Sequence, residues 1–452
     1  MRKSLVVISL LFVIAFIGAI VCHILVSNEA NSVELNEECL EGDVKNLEGM
    51  ELSLDLNMYA DHLNWNIMYP MGGDTKTDFD FRYNVENRET AISENRIDIN
   101  PQFYIAASTT DKFEFSQEDY GRAAKMLNLT AEKTRAGDYH EEIFRVKEFM
   151  DTYPICVDIM LDGGERIAYE EITTGFSAEG DERIKDLVEF ISEPVGEDDE
   201  VSIMVEKDPT GAIYSFNINP VEDGEKTGFD GGRIHSASGK DYFFIALEGE
   251  AYPKEKRGIY RLPTDSSKLG LENLEMIYQF KDGENLNEML SRYDSGMLTL
   301  LFVENGEYIL CTMDKNGKIL SEKRTPYKYD ENTWIEVIEE DEFVLLIRGE
   351  KDFVLYDLNE KGELREKFSH SFPEKTDEKN YDLARSISYD GERLAFSYYT
   401  RYVSDHEDIR VTAFDKSGLI YRGTIQNSMD RGRSKTYHLN YHHKDDPRIF
   451  WE

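Results

Sequence analysis

Between Leu5 and Val26 the chain is apolar apart from Ser9, Gly18 and His23. Those 22 residues, at ~1.5 Å each, would give a helix of ~33 Å, enough to cross a ~30 Å hydrocarbon core. The pattern therefore predicts a transmembrane anchor over residues 1–26. Cleavage is the weaker reading, because Ala15-Phe16-Ile17 and Ala19-Ile20-Val21 both end on a bulky residue. Lipidation at Cys22 is weakened by the bulk of Val21 before it. Arg2 and Lys3 precede the run; Glu29, Glu34, Glu37, Glu38, Glu41 and Asp43 follow it. That asymmetry predicts a single-pass protein in a cell membrane, N-terminus cytoplasmic and body extracytoplasmic.

Beyond the run, periods of two and of 3.6 mark out the body. Residues 27–48 are polar and acidic with no period, and predict a stalk. Residues 49–115 are strand-rich: LSLDLNMY, NWNIMYP and FDFRYNV alternate or run apolar around the turn cluster GGDTKTD. Residues 116–220 mix helices and strands. Ser116-Gln117-Glu118-Asp119 looks like a cap opening EDYGRAAKMLNL. A second helix is expected over EEIFRVKEFMDTY, with Ile143, Val146 and Met150 on one face. A third has Ile184, Leu187, Val188 and Ile191 at helical spacing, ended by Pro194. The strands PICVDIML, RIAYEEIT, EVSIMVEK and AIYSFNIN fall between and after them. The order predicts a small α+β sandwich.

From residue 225 to residue 452 a strand, a turn and three further strands recur four times. The core pieces are SGKDYFFIALEG, DSGMLTLLFVENG, EDEFVLLIRGE and DGERLAFSYYT. The units start roughly 45–55 residues apart, the length of a four-stranded propeller blade. One such sheet cannot bury both faces alone, whereas neighbours stacked together can. TYHLNYHH and RIFWE read as the start of a fifth unit that then stops. Strands from residues 49–115 could complete it, since pairing the two chain ends removes an exposed edge. The expected fold class is thus mainly β with an α+β part: a transmembrane helix, a small α+β sandwich and C-terminal β-propeller-like repeats of four-stranded antiparallel sheets.

The stretch Ser388-Tyr389-Asp390-Gly391-Glu392-Arg393-Leu394-Ala395-Phe396 resembles the repeat of WD-like and TolB-like bacterial β-propellers. There a strand, an Asp-Gly turn and an apolar strand follow one another. The resemblance covers residues 225–452. The other three units keep its pattern but not its residues, and no Gly-His…Trp-Asp signature is present. It implies a ring-shaped fold and no particular activity.

Composition narrows the function classes. A formal charge of -39 over 452 residues leaves no basic stripe for nucleic acid and disfavours a body lying on anionic lipid. With 40% hydrophobic residues, 24 Phe and 26 Tyr, the chain can still build cores. Cys22, Cys39, Cys156 and Cys311 are too scattered for a disulfide framework or a zinc knuckle.

Several groups invite a chemical reading. His438, His442 and His443 form a metal-like cluster. On a strand, however, His438 and His442 would stand ~13 Å apart at ~3.3 Å per residue. Asp314-Lys315-Asn316-Gly317 and Asp415-Lys416-Ser417-Gly418 lack the acids of a calcium loop and read as hairpin turns. Glu197-Asp198-Asp199-Glu200 reads as a solvated linker. Asn128-Leu129-Thr130 matches a glycosylation sequon at a helix end. Tyr242, Phe243, Phe244, Phe396, Tyr398 and Tyr399 should divide between core and a surface able to hold sugars or peptides. No catalytic, cofactor-binding or metal-binding set emerges. The expectation is a non-catalytic binding or sensing module. Its partners would be the membrane, through residues 5–26, and an envelope protein, with no nucleic acid. The alternative is a hydrolase or lyase acting on an extracellular polymer.

Overall fold

A computed structural model describes residues 11–21, 23–24, 35–58, 63–74, 76–81, 94–102, 105–170, 172, 181–221, 232–328, 334–339, 344–348, 352–373, 386–399, 409–427, 442–443 and 448–451. Among them, residues 11–21 and 23–24 are helical. No helix of the described residues is long and apolar enough to cross a membrane. This overturns the single-pass span expected over residues 5–26 and the localisation drawn from it. A span needs about 20 consecutive apolar helical residues, and no described helix has that length.

The chain forms two compact units. One comprises Met1–Asn87, Asp330–Leu358 and Arg365–Glu452; the other comprises Arg88–Tyr329 and Asn359–Leu364.

The second unit holds the α+β region and two repeats. Strands Ile105–Lys112, Ile213–Pro220, Glu200–Lys207 and Tyr139–Arg145 form one antiparallel sheet in that order. Tyr139–Arg145 corrects the expected second helix. Phe144 opposes Val201 and is buried, whereas Ile143 opposes Ser202 and is exposed. The ladder offered by Glu200–Lys207, with β-branched and aromatic side chains to fill it, outweighs the helical spacing of Ile143, Val146 and Met150. The first expected helix is real but broken. Ser116 caps Gln117–Tyr120, its Oγ accepting from Asp119 N at 3.1 Å. Gly121, at φ 47°, then turns the chain into Ala124–Lys133. Met126, Leu127 and Ala131 of that helix pack on Val201, Ile203, Val205, Phe216 and Ile218. Rings of Phe115, Tyr120 and Phe216 meet edge to face at 4.9–5.5 Å.

A separate three-stranded sheet joins Arg96–Pro101, Ile155–Met160 and Arg166–Glu170. So the expected single sandwich is two sheets. Helix Lys185–Ile191, entered through the 3-10 turn Glu182–Ile184, buries all four apolar residues of its predicted face. Their core continues into Phe243, Ile245, Leu247, Tyr252 and Tyr260 of the first repeat.

The four repeats are four-stranded antiparallel sheets whose strands follow chain order, a pattern that fits a β-propeller-like fold. The first two run Arg233–Ser238 to Glu275–Gln279 and Asn285–Arg292 to Ile319–Lys328. Asn285–Arg292, with Leu286 and Met289 buried, opens the second repeat as a strand. In the last three repeats the turn before the outermost strand is built alike. Asp314 Oδ1 accepts from Asn316 N and Lys318 N at 2.9 and 3.0 Å. Asn359 Oδ1 accepts from Lys361 N and Glu363 N at the same distances. Asp415 Oδ1 accepts from Ser417 N at 2.7 Å. These are the Asx turns of ordinary hairpins. The first turn also seats against the neighbouring sheet: a Cβ on Gly317 (φ 85°) would lie 1.9 Å from the Ile277 carbonyl oxygen.

The first unit contains the third and fourth repeats, Trp334–Glu339 to Leu364–Ser371 and Ser386–Tyr389 to Gly418–Asn427. Phe353, Phe368, Phe372, Phe396 and Phe414 form an aromatic core there. Two further pairings join the chain ends. Leu35–Gly42 adds to the outer edge of Gly418–Asn427, so residues 35–42 are sheet where a stalk was expected. His442–His443 and Arg448–Trp451 add to Met50–Met58, which continues into Leu63–Pro70 and Lys76–Phe81. Both pairings cover otherwise open edges. Arg393 ties them together. Its guanidinium lies 3.8 Å from the Trp451 ring centre, and its Nη1 donates to Asn46 O at 2.7 Å.

Candidate functional site

A cleft of about 680 Å³ opens in the second unit. The helical turn after Ser116 supplies Gln117, and the break after it supplies Gly121 and Arg122. Strand Arg166–Glu170 supplies Tyr169 and Glu170. Helix Lys185–Ile191 and the turns at its ends supply Glu182, Lys185, Val188, Glu189 and Ser192. Thr152 completes the wall.

The volume lies within the range of small-molecule sites, but such sites are mostly apolar. This one carries two cations and three carboxylates, with Val188 its one aliphatic side chain. Arg122 Nη1 donates to Thr152 Oγ1 at 2.6 Å, which aims the guanidinium along the wall. Glu170 is steadied from behind by the buried amide of Gln102, whose Nε2 lies 3.3 Å from Glu170 Oε1. That amide is fixed in turn by Ile172, whose N–H donates to Gln102 Oε1 at 2.8 Å. Lys185 and Glu182, one turn apart, stand 3.7 Å from each other and stay exposed. A planar fork, a flexible ammonium and three carboxylates in one cleft can meet a ligand that carries both signs of charge.

Beneath the cleft the chain forms a second polar knot. Thr152 bridges to Pro194, and Tyr153 N donates to Glu193 O at 2.8 Å. Tyr153 Oη donates to Asp199 Oδ2, which also accepts from Gly196 N at 2.6 Å. Asp199 is therefore a fixed acceptor, not part of the solvated linker expected over Glu197–Glu200. Glu193 is buried and its Oε1 accepts from Gly232 N at 2.8 Å. Burial pushes its carboxyl up to about 8, with Asp199 adding to the effect. Burial likewise raises the Tyr153 and Tyr252 phenols.

The remaining sequence candidates are scattered. His442 and His443 sit opposite Asn57 and Leu56 in a sheet, and His438 lies outside the described residues. Among the described residues no three His, Cys, Asp or Glu side chains are grouped to hold a metal. Asn128 donates to Phe115 O at 2.8 Å and accepts from Phe115 N at 2.9 Å, and Thr130 is fully buried, so the sequon is locked in structure. Phe243, Phe244 and Phe396 are core. Tyr242 lies between Arg261 and Lys315, 4.9 and 5.7 Å from its ring centre. Tyr398 and Tyr399 end strand Leu394–Tyr399, with side chains outside the described set. The cleft itself was missed. Its residues are far apart in the chain, and no motif joins Arg122 to Lys185.

No family model matches the chain, and no curated protein matches it. Solved structures with some likeness include the WD40 domain of SCAP from fission yeast, at 10% identity and a TM-score of 0.30, over 83% of this chain and 74% of that one. A prolyl endopeptidase shares 11% identity at a TM-score of 0.27, over 81% of this chain and 47% of its own. Prolyl oligopeptidase B from Galerina marginata shares 7% identity at 0.27, over 83% and 58%. The chain thus spans about half the length of these peptidases. None of their chemistry follows for this chain.

Proposed function

We propose that this chain is a binding module whose cleft takes a small zwitterion, an amino acid or short peptide. The observation that carries the reading is the presence of Arg122 and Lys185 beside Glu170, Glu182 and Glu189 in one cleft. The ligand carboxylate would meet the guanidinium and the ammonium, and its own ammonium the glutamates. Each charge-assisted hydrogen bond contributes about 1.5–3 kcal/mol where water is partly excluded. Thr152 and Gln102 support the reading because they hold Arg122 and Glu170 in place before any ligand arrives. The non-polymeric size of the cleft favours binding over turnover of a long chain.

A thermal-shift panel on the full chain tests this. Glycine, glutamate, lysine and dialanine should raise the melting temperature, while acetate and methylammonium, each half of a zwitterion, should not. Equal shifts with the halves, or none with any compound, would rule the reading out.

A further inference from the structure

We infer that Glu193 is a proton-operated latch at the joint between the α+β region and the first repeat, closed while its carboxyl is neutral. The latch does not depend on the cleft being occupied. Helix Lys185–Ile191 ends immediately before it, where Ser192 N and Oγ both donate to Val188 O. The Glu193 backbone carbonyl accepts from Tyr153 N, and Val195 N donates to Asp151 O at 2.9 Å. The main chain at Glu193 is therefore fixed on the α+β side. Its side chain reaches the other way, to the N–H of Gly232, which directly precedes the first strand of the first repeat.

The contact is tight. A Cβ on Gly232 would lie 2.7 Å from the Tyr252 ring and 3.0 Å from Glu193 Cγ. Tyr252 Oη donates to Ile191 O at 2.8 Å, so the ring that confines Gly232 is itself tied to the helix end. Glu193, Gly232 and Tyr252 thus form one closed contact across the joint.

The groups that act electrostatically on this carboxyl are Asp199 and Arg233. The phenols of Tyr153 and Tyr252 lie beside it, and both feel its charge. Asp199 is held as an acceptor by Tyr153 and Gly196, so a second negative charge at Glu193 would be buried next to the first. The Gly232 N–H and then Arg233 favour the carboxylate, but burial, with Asp199 adding to it, outweighs them and holds the proton to about pH 8. Once the proton leaves, the carboxylate gains by moving to water. Gly232 N then loses its acceptor and the entry to the first repeat loosens. Ser192 precedes Glu193 in sequence and Thr152 bridges to Pro194 just after it, and both line the cleft, so the change would reach the cleft wall.

Hydrogen–deuterium exchange on the full chain, corrected for intrinsic rates, tests the latch. Peptides spanning residues 188–199 and 232–252 should lose protection between pH 7 and pH 9. Glu193→Gln should hold them protected throughout. The latch is refuted if wild type and E193Q lose protection alike, or if wild type stays equally protected over that range. Infrared spectra of wild type labelled with 13C-glutamate give a readout independent of the variant's folding. They should show a protonated carboxyl band at pH 7 that fades near pH 8. Its absence at pH 7 would also overturn the proposal.

Discussion

Tyr421 Oη donates to Glu37 Oε1 at 2.7 Å, joining a strand near the N-terminus to one near the C-terminus. The other carboxylate oxygen accepts from Tyr69 Oη at 2.9 Å and Gly72 N at 3.0 Å. One carboxylate thus satisfies two phenols and a backbone amide, and both phenols are raised, burial first and Glu37 next. Gly423 belongs to the same arrangement, since a Cβ there would lie 2.0 Å from Tyr421 Oη.

Glu37→Ala should therefore cost the first unit about 2–3 kcal/mol, because the fully buried Tyr421 loses its acceptor. Leu40→Ala, on the same strand but 47% exposed, should change stability by no more than ~0.5 kcal/mol. Urea unfolding followed by tryptophan fluorescence measures both, because Trp65, Trp334 and Trp451 all lie in that unit. Equal costs would mean that the clamp contributes nothing.

Two glycines separate backbone strain from steric contact. Gly391 and Gly317 both have positive φ, 96° and 85°. A Cβ on Gly391 meets nothing within 4 Å, whereas one on Gly317 lies 1.9 Å from a carbonyl oxygen. Gly391→Ala should cost about 1–2 kcal/mol, the strain of a left-handed residue. Gly317→Ala should cost clearly more, since the turn must leave Ile277. Matching thermal shifts would show that the turn does not seat on the neighbouring sheet.

The raised Glu193 carboxyl fixes the sign of a pH effect. The folded state keeps this proton up to about pH 8, while an unfolded glutamate releases it near its ordinary value of 4.5. Its stabilising contribution is full below the unfolded value, declines as pH rises between the two, and is gone above the folded value. Relative to E193Q, wild type should lose a few kcal/mol between about pH 5 and pH 8. Denaturant titrations of the pair at several pH values check this. A difference that grows in the opposite direction would contradict the burial.

Cysteine reactivity should follow depth. Cys39 is exposed, Cys156 half-buried and Cys311 buried. Burial raises the thiols of Cys156 and Cys311 to about 11 and about 12. In a native alkylation time course read by mass spectrometry, Cys39 should label first and Cys311 only on unfolding. Early labelling of Cys311 would place it outside its core.

Much of the fold was legible because period and turn chemistry agreed. Strands such as Tyr242–Glu248 and Met297–Glu304 carry largely apolar runs between Asp- or Gly-bearing turns, and each became a central strand. The helical face Ile184, Leu187, Val188 and Ile191 was equally plain. Tyr139–Arg145 was not, because its partner strand lies about sixty residues on, and spacing alone reads as helix. Leu35–Gly42 was hidden by its acids; only Leu35 in it is buried, and its place is set by pairing with Gly418–Asn427. The cleft left no motif, since Arg122, Glu170 and Lys185 acquire meaning only when Thr152 and Gln102 hold two of them in place.

Zwitterion binding in the cleft rests on Arg122. Calorimetric titration of the full chain with dialanine, for wild type and Arg122→Gln, measures that dependence. Wild type should bind, and the variant should bind at least tenfold more weakly, a loss of about 1.4 kcal/mol. Equal affinity for the two proteins, or no binding heat with wild type, would contradict it.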